Sequence, residues 1–158
     1  MNDQVLRDNL VEALTKEVAY ISPKKALEDL KPENRTKHQN KNSHSVWDLF
    51  EHIRITQEDI LRYTLDPNWV SPSWPEGHWP PPNQKVTDEM WDSSIKKFFS
   101  DLDEVVSLAK NKKYDLTSEI PHGEGRTYLR EILLVIAHNS YHLGQLIQTR
   151  KELGDWKF

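Results

Sequence analysis

The sequence predicts an all-α protein, most simply a four-helix bundle. Three observations carry that expectation. Four long segments repeat apolar residues at helical spacing, capping and turn residues divide them, and no run alternates apolar with polar residues or carries an Asn-Gly hairpin signal.

The first helix is expected over residues 2–19, where Leu6, Leu10, Ala13, Leu14 and Val18 form one stripe. The stretch "SPKKALEDL" then offers Ser22 as N-cap and Pro23 at the first helical position, a short helical piece ahead of the polar run "KPENRTKHQNKN". The second long helix starts at Ser45, where Ser45-x-x-Asp48 forms a capping box with the shorter acid. It carries Val46, Leu49, Phe50, Ile53, Ile60 and Leu61, and it should end near Asp66, because a residue before proline avoids the α region. The third follows Thr87 as N-cap and buries one face made of Trp91, Ile95, Phe98, Phe99, Leu102, Val105, Val106 and Ala109. The fourth opens near Thr127 and runs through "YLREILLVIAHNSYHLGQLIQTRKEL" to Gly154, a good residue beyond a helix end and preceded by the basic Arg150 and Lys151. Between the second and third long helices lies a long Pro/Trp-rich loop of about 20 residues, a length that in compact proteins usually carries function or disorder. Trp69, Trp74 and Trp79 are too apolar for a plain linker, so this loop should fold onto the bundle.

The 158 residues, 36% hydrophobic and 29% charged, fit one compact domain spanning 1–158. No apolar run approaches the roughly 18 residues of a membrane span, and the first residues resemble no secretory signal, so a cytoplasmic protein is expected. With 0 cysteines there is no thiolate ligand or cysteine nucleophile, and any metal must be held by nitrogen and oxygen. A net charge of −4, with "KNKK" the longest basic block, matches a polyanionic nucleic acid poorly.

Against that background the stretch "AHNSYHLGQL" stands out, because it sets His138 and His142 four residues apart in an otherwise apolar helix. Leu129, Ile132, Leu133, Ile136, Leu143 and Ile147 gather on one side, and the histidines fall on the other, flanked by Leu134, Val135 and Leu146. That second face should be covered too, by the Trp-rich loop or by a second subunit. Side chains at i and i+4 begin about 5 to 6 Å apart, so two imidazoles can reach one ion, but they can equally serve as buried polar residues. A third ligand is needed. Of the remaining histidines, His38, His44, His78 and His122 sit in connections, and only His52 lies within a long helix, at the edge of an apolar stripe.

The pair of segments "SVWDLFEHI" and "IAHNSYHLGQL" resembles the DinB-like (damage-inducible) superfamily of four-helix-bundle metalloproteins. That family carries a histidine early in its second helix and His-x-x-x-His followed by Gly-Gln in its fourth. The resemblance extends over essentially the whole chain. It implies that His52, His138 and His142 are the three ligands of one divalent metal ion, with Zn, Ni or Fe the leading candidates. It also implies a homodimer and, as in some members, thiol-dependent S-transferase or isomerase activity; with the open metal positions, the expectation is a metal-dependent enzyme acting on a small molecule, a thiol S-transferase or a hydrolase. A metal-containing stress or binding protein without turnover is the alternative. Three neutral imidazoles leave coordination positions open for water or substrate, as in catalytic sites. A zinc-protease motif is excluded by Asn139, where a general-base glutamate would stand, and the only Glu-x-x-His spacing, Glu119 to His122, spans a proline, which excludes the di-iron pattern.

Four neighbours carry expectations of their own. Tyr141 is expected to pack away from the histidine face, Gly144 to allow close helix packing, and Glu131 to be a solvated charge at the helix start. Gln145 bonds either a ligand imidazole or a substrate, or else makes a helix–helix contact. Trp74, Trp79 and His78 either roof the histidine cleft or seal the end of the bundle.

Overall fold

The computed structural model describes residues 3–157. Its helices are α1 (Asp3–Thr15), the single-turn α2 (Pro23–Leu27), α3 (Val46–Leu65), α4 (Asp88–Lys110) and α5 (Tyr128–Glu152), with short 3-10 turns at Pro32–Asn34 and Glu76–His78. The described residues contain no strand, and one isolated bridge pairs Glu119 with Thr127. The protein is all-α, with α1, α3, α4 and α5 forming the bundle. No helix among the described residues is long and apolar enough to cross a membrane.

The expected caps form. Ser22, Ser45, Thr87 and Thr127 each accept the backbone N–H three residues on, and at Ser45 the Asp48 carboxylate closes the reciprocal bond. Asp66 ends α3 in an extended conformation before Pro67, and Gly154 takes the left-handed conformation (φ 67°) just past α5. The first helix is shorter than its apolar pattern implies. It stops at Thr15, and Val18 beyond it is 56% exposed. Asn2, where that helix was expected to begin, lies outside the described residues. After Thr15 the chain turns, and the Tyr20 hydroxyl bonds the carbonyl of Ala13 and pins the reversal.

α3 lies against both α5 and α4, and α1 packs on α4. Phe50, Ile53, Leu61, Phe98, Val105, Ile132, Val135, Leu143 and Leu146 fill the core between them. Two arginines tie the ends. The buried Arg7 of α1 donates to the carbonyls of Ala109 (2.9 Å), Asn111 (3.1 Å) and Tyr114 (2.6 Å), so a cation meets the negative end of α4. The buried Arg150 donates to the carbonyls of Ala26 (2.7 Å) and Asp155 (2.9 Å), which fastens α2 to the end of α5.

One expected face is corrected. Val135 and Leu146 are not surplus apolar surface but members of the bundle core, while Leu133 and Leu134 are 49% and 37% exposed. A single stripe wide enough to meet both α3 and its flanking elements rotates the buried arc of α5 away from Leu133.

Candidate metal centre

His52 is held in the second turn of α3 by the capping box below it and by Phe50 and Ile53, which are fully buried on either side. His138 and His142 project from adjacent turns of α5. Because α3 and α5 are packed together, the three rings meet between them. The Nε2 of His52 lies 3.1 Å from Nε2 of His138 and 3.2 Å from Nε2 of His142. Ligating atoms of the three residues all lie within 4.8 Å of one another, and no other such group occurs among the described residues.

Hydrogen bonds fix which nitrogens face inward. A carbonyl can only accept, so the 2.7 Å contact from His52 Nδ1 to the backbone oxygen of His78 puts the proton on Nδ1 and leaves a lone pair on Nε2. The same holds for His142, whose Nδ1 donates to Gln145 Oε1 at 2.7 Å. Two lone pairs are therefore directed at one point, and His138 aims its own Nε2 there. Burial, the largest cause in each ring, together with repulsion among the rings, lowers the imidazole pKa to about 4 at His52 and about 3 at His138; burial lowers that of His142 as well. At neutral pH the cluster is three neutral imidazoles. The two nitrogen pairs that share His52, 3.1 and 3.2 Å apart, each subtend about 95–100° at a centre roughly 2.1 Å from both nitrogens, so this set of three imidazoles fits a divalent ion with further positions open.

The loop closes one side. The Trp79 indole stacks on His52 with ring centres 4.0 Å apart and planes within 4°, and His44 stacks on the opposite face of that indole at 4.2 Å. His78 contributes its backbone carbonyl to His52, and its ring Nε2 lies 3.3 Å from Asp59 Oδ2. Trp69 anchors the loop by donating to Asp59 Oδ1 at 2.7 Å. Beneath the histidines, Asn139 donates to Gln57 Oε1 (2.8 Å), and Gln57 donates to the carbonyl of Phe98 (2.8 Å), a buried chain joining α5, α3 and α4.

Three neighbours depart from expectation. Tyr141 does not pack away from the site: it is 65% exposed, with its ring edge-on to His142 at 4.8 Å. Gly144 is not a packing glycine, since a Cβ there would meet nothing within 4 Å. Glu131 is not solvated; it is 3% exposed and paired with Arg130. Sequence reasoning also missed His44 in the stack and the His78 carbonyl, and a main-chain oxygen leaves no mark in sequence.

The fold and the site together define a helical-bundle protein whose three-imidazole cluster could hold a metal ion. The chain belongs to the DinB superfamily, whose family profile matches residues 8–146. No match was found among curated proteins or among solved structures.

Proposed function

We propose that this protein binds one divalent metal ion through the Nε2 atoms of His52, His138 and His142, and that it is a metal-dependent enzyme acting on a small molecule. The observation that carries the reading is the convergence of three neutral imidazole nitrogens, two of them with tautomers already fixed for ligation by the His78 carbonyl and by Gln145. A metal held there would act as a Lewis acid, lowering the pKa of a bound water or thiol and so favouring thiol transfer or hydrolysis. The chain's own part is to orient the rings, to keep them unprotonated by burial, and to shield one side with Trp79. Metal analysis of protein produced without an affinity tag should return one equivalent of Zn, Ni or Fe, and His142→Ala should abolish it with helical circular dichroism retained. A thiol-transfer and ester-hydrolysis screen of the loaded protein then separates turnover from simple metal binding.

The assembly proposed is a homodimer. Leu133, Ala137, Tyr141 and Gly144 form an exposed stripe along α5, suited to cover by the same stripe of a second copy. Light scattering at micromolar concentration tests this: a mass near 18.6 kDa rather than about twice that refutes it.

A further inference from the structure

The third imidazole differs from the other two in how its inward nitrogen is chosen. His52 and His142 give their Nδ1 protons to the His78 carbonyl and to Gln145. Behind His138 stands a longer buried chain that begins at a main-chain atom of α4, and the polarity of each link follows from the one before. The carbonyl of Phe98 can only accept, so the nitrogen of the Gln57 amide faces it at 2.8 Å, and Gln57 Oε1 is left as an acceptor. Asn139 therefore meets Oε1 with its own nitrogen, also at 2.8 Å, and keeps its Oδ1 as an acceptor. Gln57 is fully buried and Asn139 is 6% exposed, so water does not compete for either amide. Turning over one amide or both would set oxygen against oxygen in the core and leave buried groups unsatisfied.

The last link reaches the metal centre. A side-chain hydrogen bond joins His138 to Asn139 and favours the protonated ring, the sign of an imidazole N–H donating to an amide oxygen. Nε2 of His138 faces His52, so the donor is Nδ1, and neither Nδ1 nor Asn139 Oδ1 has another partner among the described residues. The competing arrangement, in which His138 Nε2–H donates to His52 Nε2 across 3.1 Å, would turn a bare Nδ1 towards the Asn139 oxygen, acceptor against acceptor.

We propose that Gln57 and Asn139 are positioning residues of the metal centre, which carry the polarity of the Phe98 carbonyl to His138, fix its proton on Nδ1 and present a bare Nε2 beside those of His52 and His142. The proposal rests on the three-histidine metal reading above. Outer partners of this kind orient a ligating ring and set its tautomer. Here the partner is an amide whose own orientation is decided two residues away in space, on another helix. Lone pairs 3.1–3.2 Å apart repel one another until a cation lies among them, so the chain of amides disfavours a proton shared between rings and favours a metal ion.

The first test needs no variant. A long-range proton–nitrogen correlation spectrum of zinc-free protein near neutral pH should show His138 as the Nδ1–H tautomer with Nε2 bare, and an Nε2–H tautomer overturns the proposal. Zinc affinity, measured by chelator competition, then separates positioning from support of the fold. Asn139→Leu should weaken zinc about tenfold or more, whereas Asn139→Asp keeps an acceptor for His138 Nδ1 and should hold affinity at or above that of the unaltered protein, although both variants lose the bond to Gln57 and with it stability. Gln57→Met touches no imidazole, yet it frees the Asn139 amide to turn and should bring an Nε2–H population at His138 and a severalfold weaker zinc affinity. Equal zinc affinities for the Leu and Asp variants, or an unchanged His138 tautomer in Gln57→Met, also overturn it. Absence of stoichiometric zinc in the unaltered protein refutes the metal reading itself, whereas zinc at one equivalent with His138 as Nε2–H in the zinc-free form refutes only the positioning role.

Discussion

Replacing Gln145 with leucine tests whether the hydrogen bond behind His142 prepares it for a metal. Gln145 Oε1 accepts the Nδ1 proton of His142 at 2.7 Å, which holds the ring's orientation and leaves its Nε2 free to ligate. Loss of such a partner typically reduces metal affinity 10- to 100-fold. Gln145 is exposed, so water can replace part of the lost bond, which places the effect at the low end, about tenfold or about 1.4 kcal/mol. Gln145→Glu keeps an acceptor in the same place and should retain or improve affinity. Zinc affinity measured by competition with a chromophoric chelator, with circular dichroism as the folding control, reads the difference. Equal affinities for the Leu and Glu variants, both folded, would refute the claim that this hydrogen bond prepares the ligand.

Removing the stacked indole with Trp79→Ala should leave zinc stoichiometry unchanged but speed its release about tenfold, from the loss of roughly 1–1.5 kcal/mol of ring contact; stopped-flow chelation measures it. Arg7→Met strips the carbonyls of Ala109, Asn111 and Tyr114, in the last turn of α4 and the turn after it, of their cationic donor and should cost about 3 kcal/mol in urea unfolding, with zinc affinity unaltered. Gly144→Ala should stabilise the monomer by about 0.5–1 kcal/mol through helix propensity, because nothing lies where the methyl would go. The folded-state pKa of His52 (about 4) and His138 (about 3) lies below their ordinary value of 6.5, so the unfolded chain takes up protons first. Zinc-free protein should therefore lose stability progressively as pH falls from about 6.5 towards 4, and thermal melts across that window check the sign.

The sequence by itself determined the helices, their caps and the candidate ligands. Those features are local: Ser45, Thr87 and Thr127 bond backbone atoms three residues away, and the spacing of His138 and His142 puts them on adjacent turns whatever surrounds them. His52 was singled out by its place in a helix and by resemblance, but nothing local says which ring nitrogen it offers. Tertiary structure decided that, by bringing the carbonyl of His78 to its Nδ1 from a loop 26 residues further on. It also decided what lies buried. Arg7 reads as a surface charge until the carbonyls at the end of α4 are set against it, Gln57 and Asn139 read as polar surface until they bond across the core, and Leu133 reads as core until α3 meets α5 along a different arc. In each case the deciding partner is an atom far along the chain, most often in the main chain. Its position follows from how the helices pack, and periodicity within one helix carries no record of it.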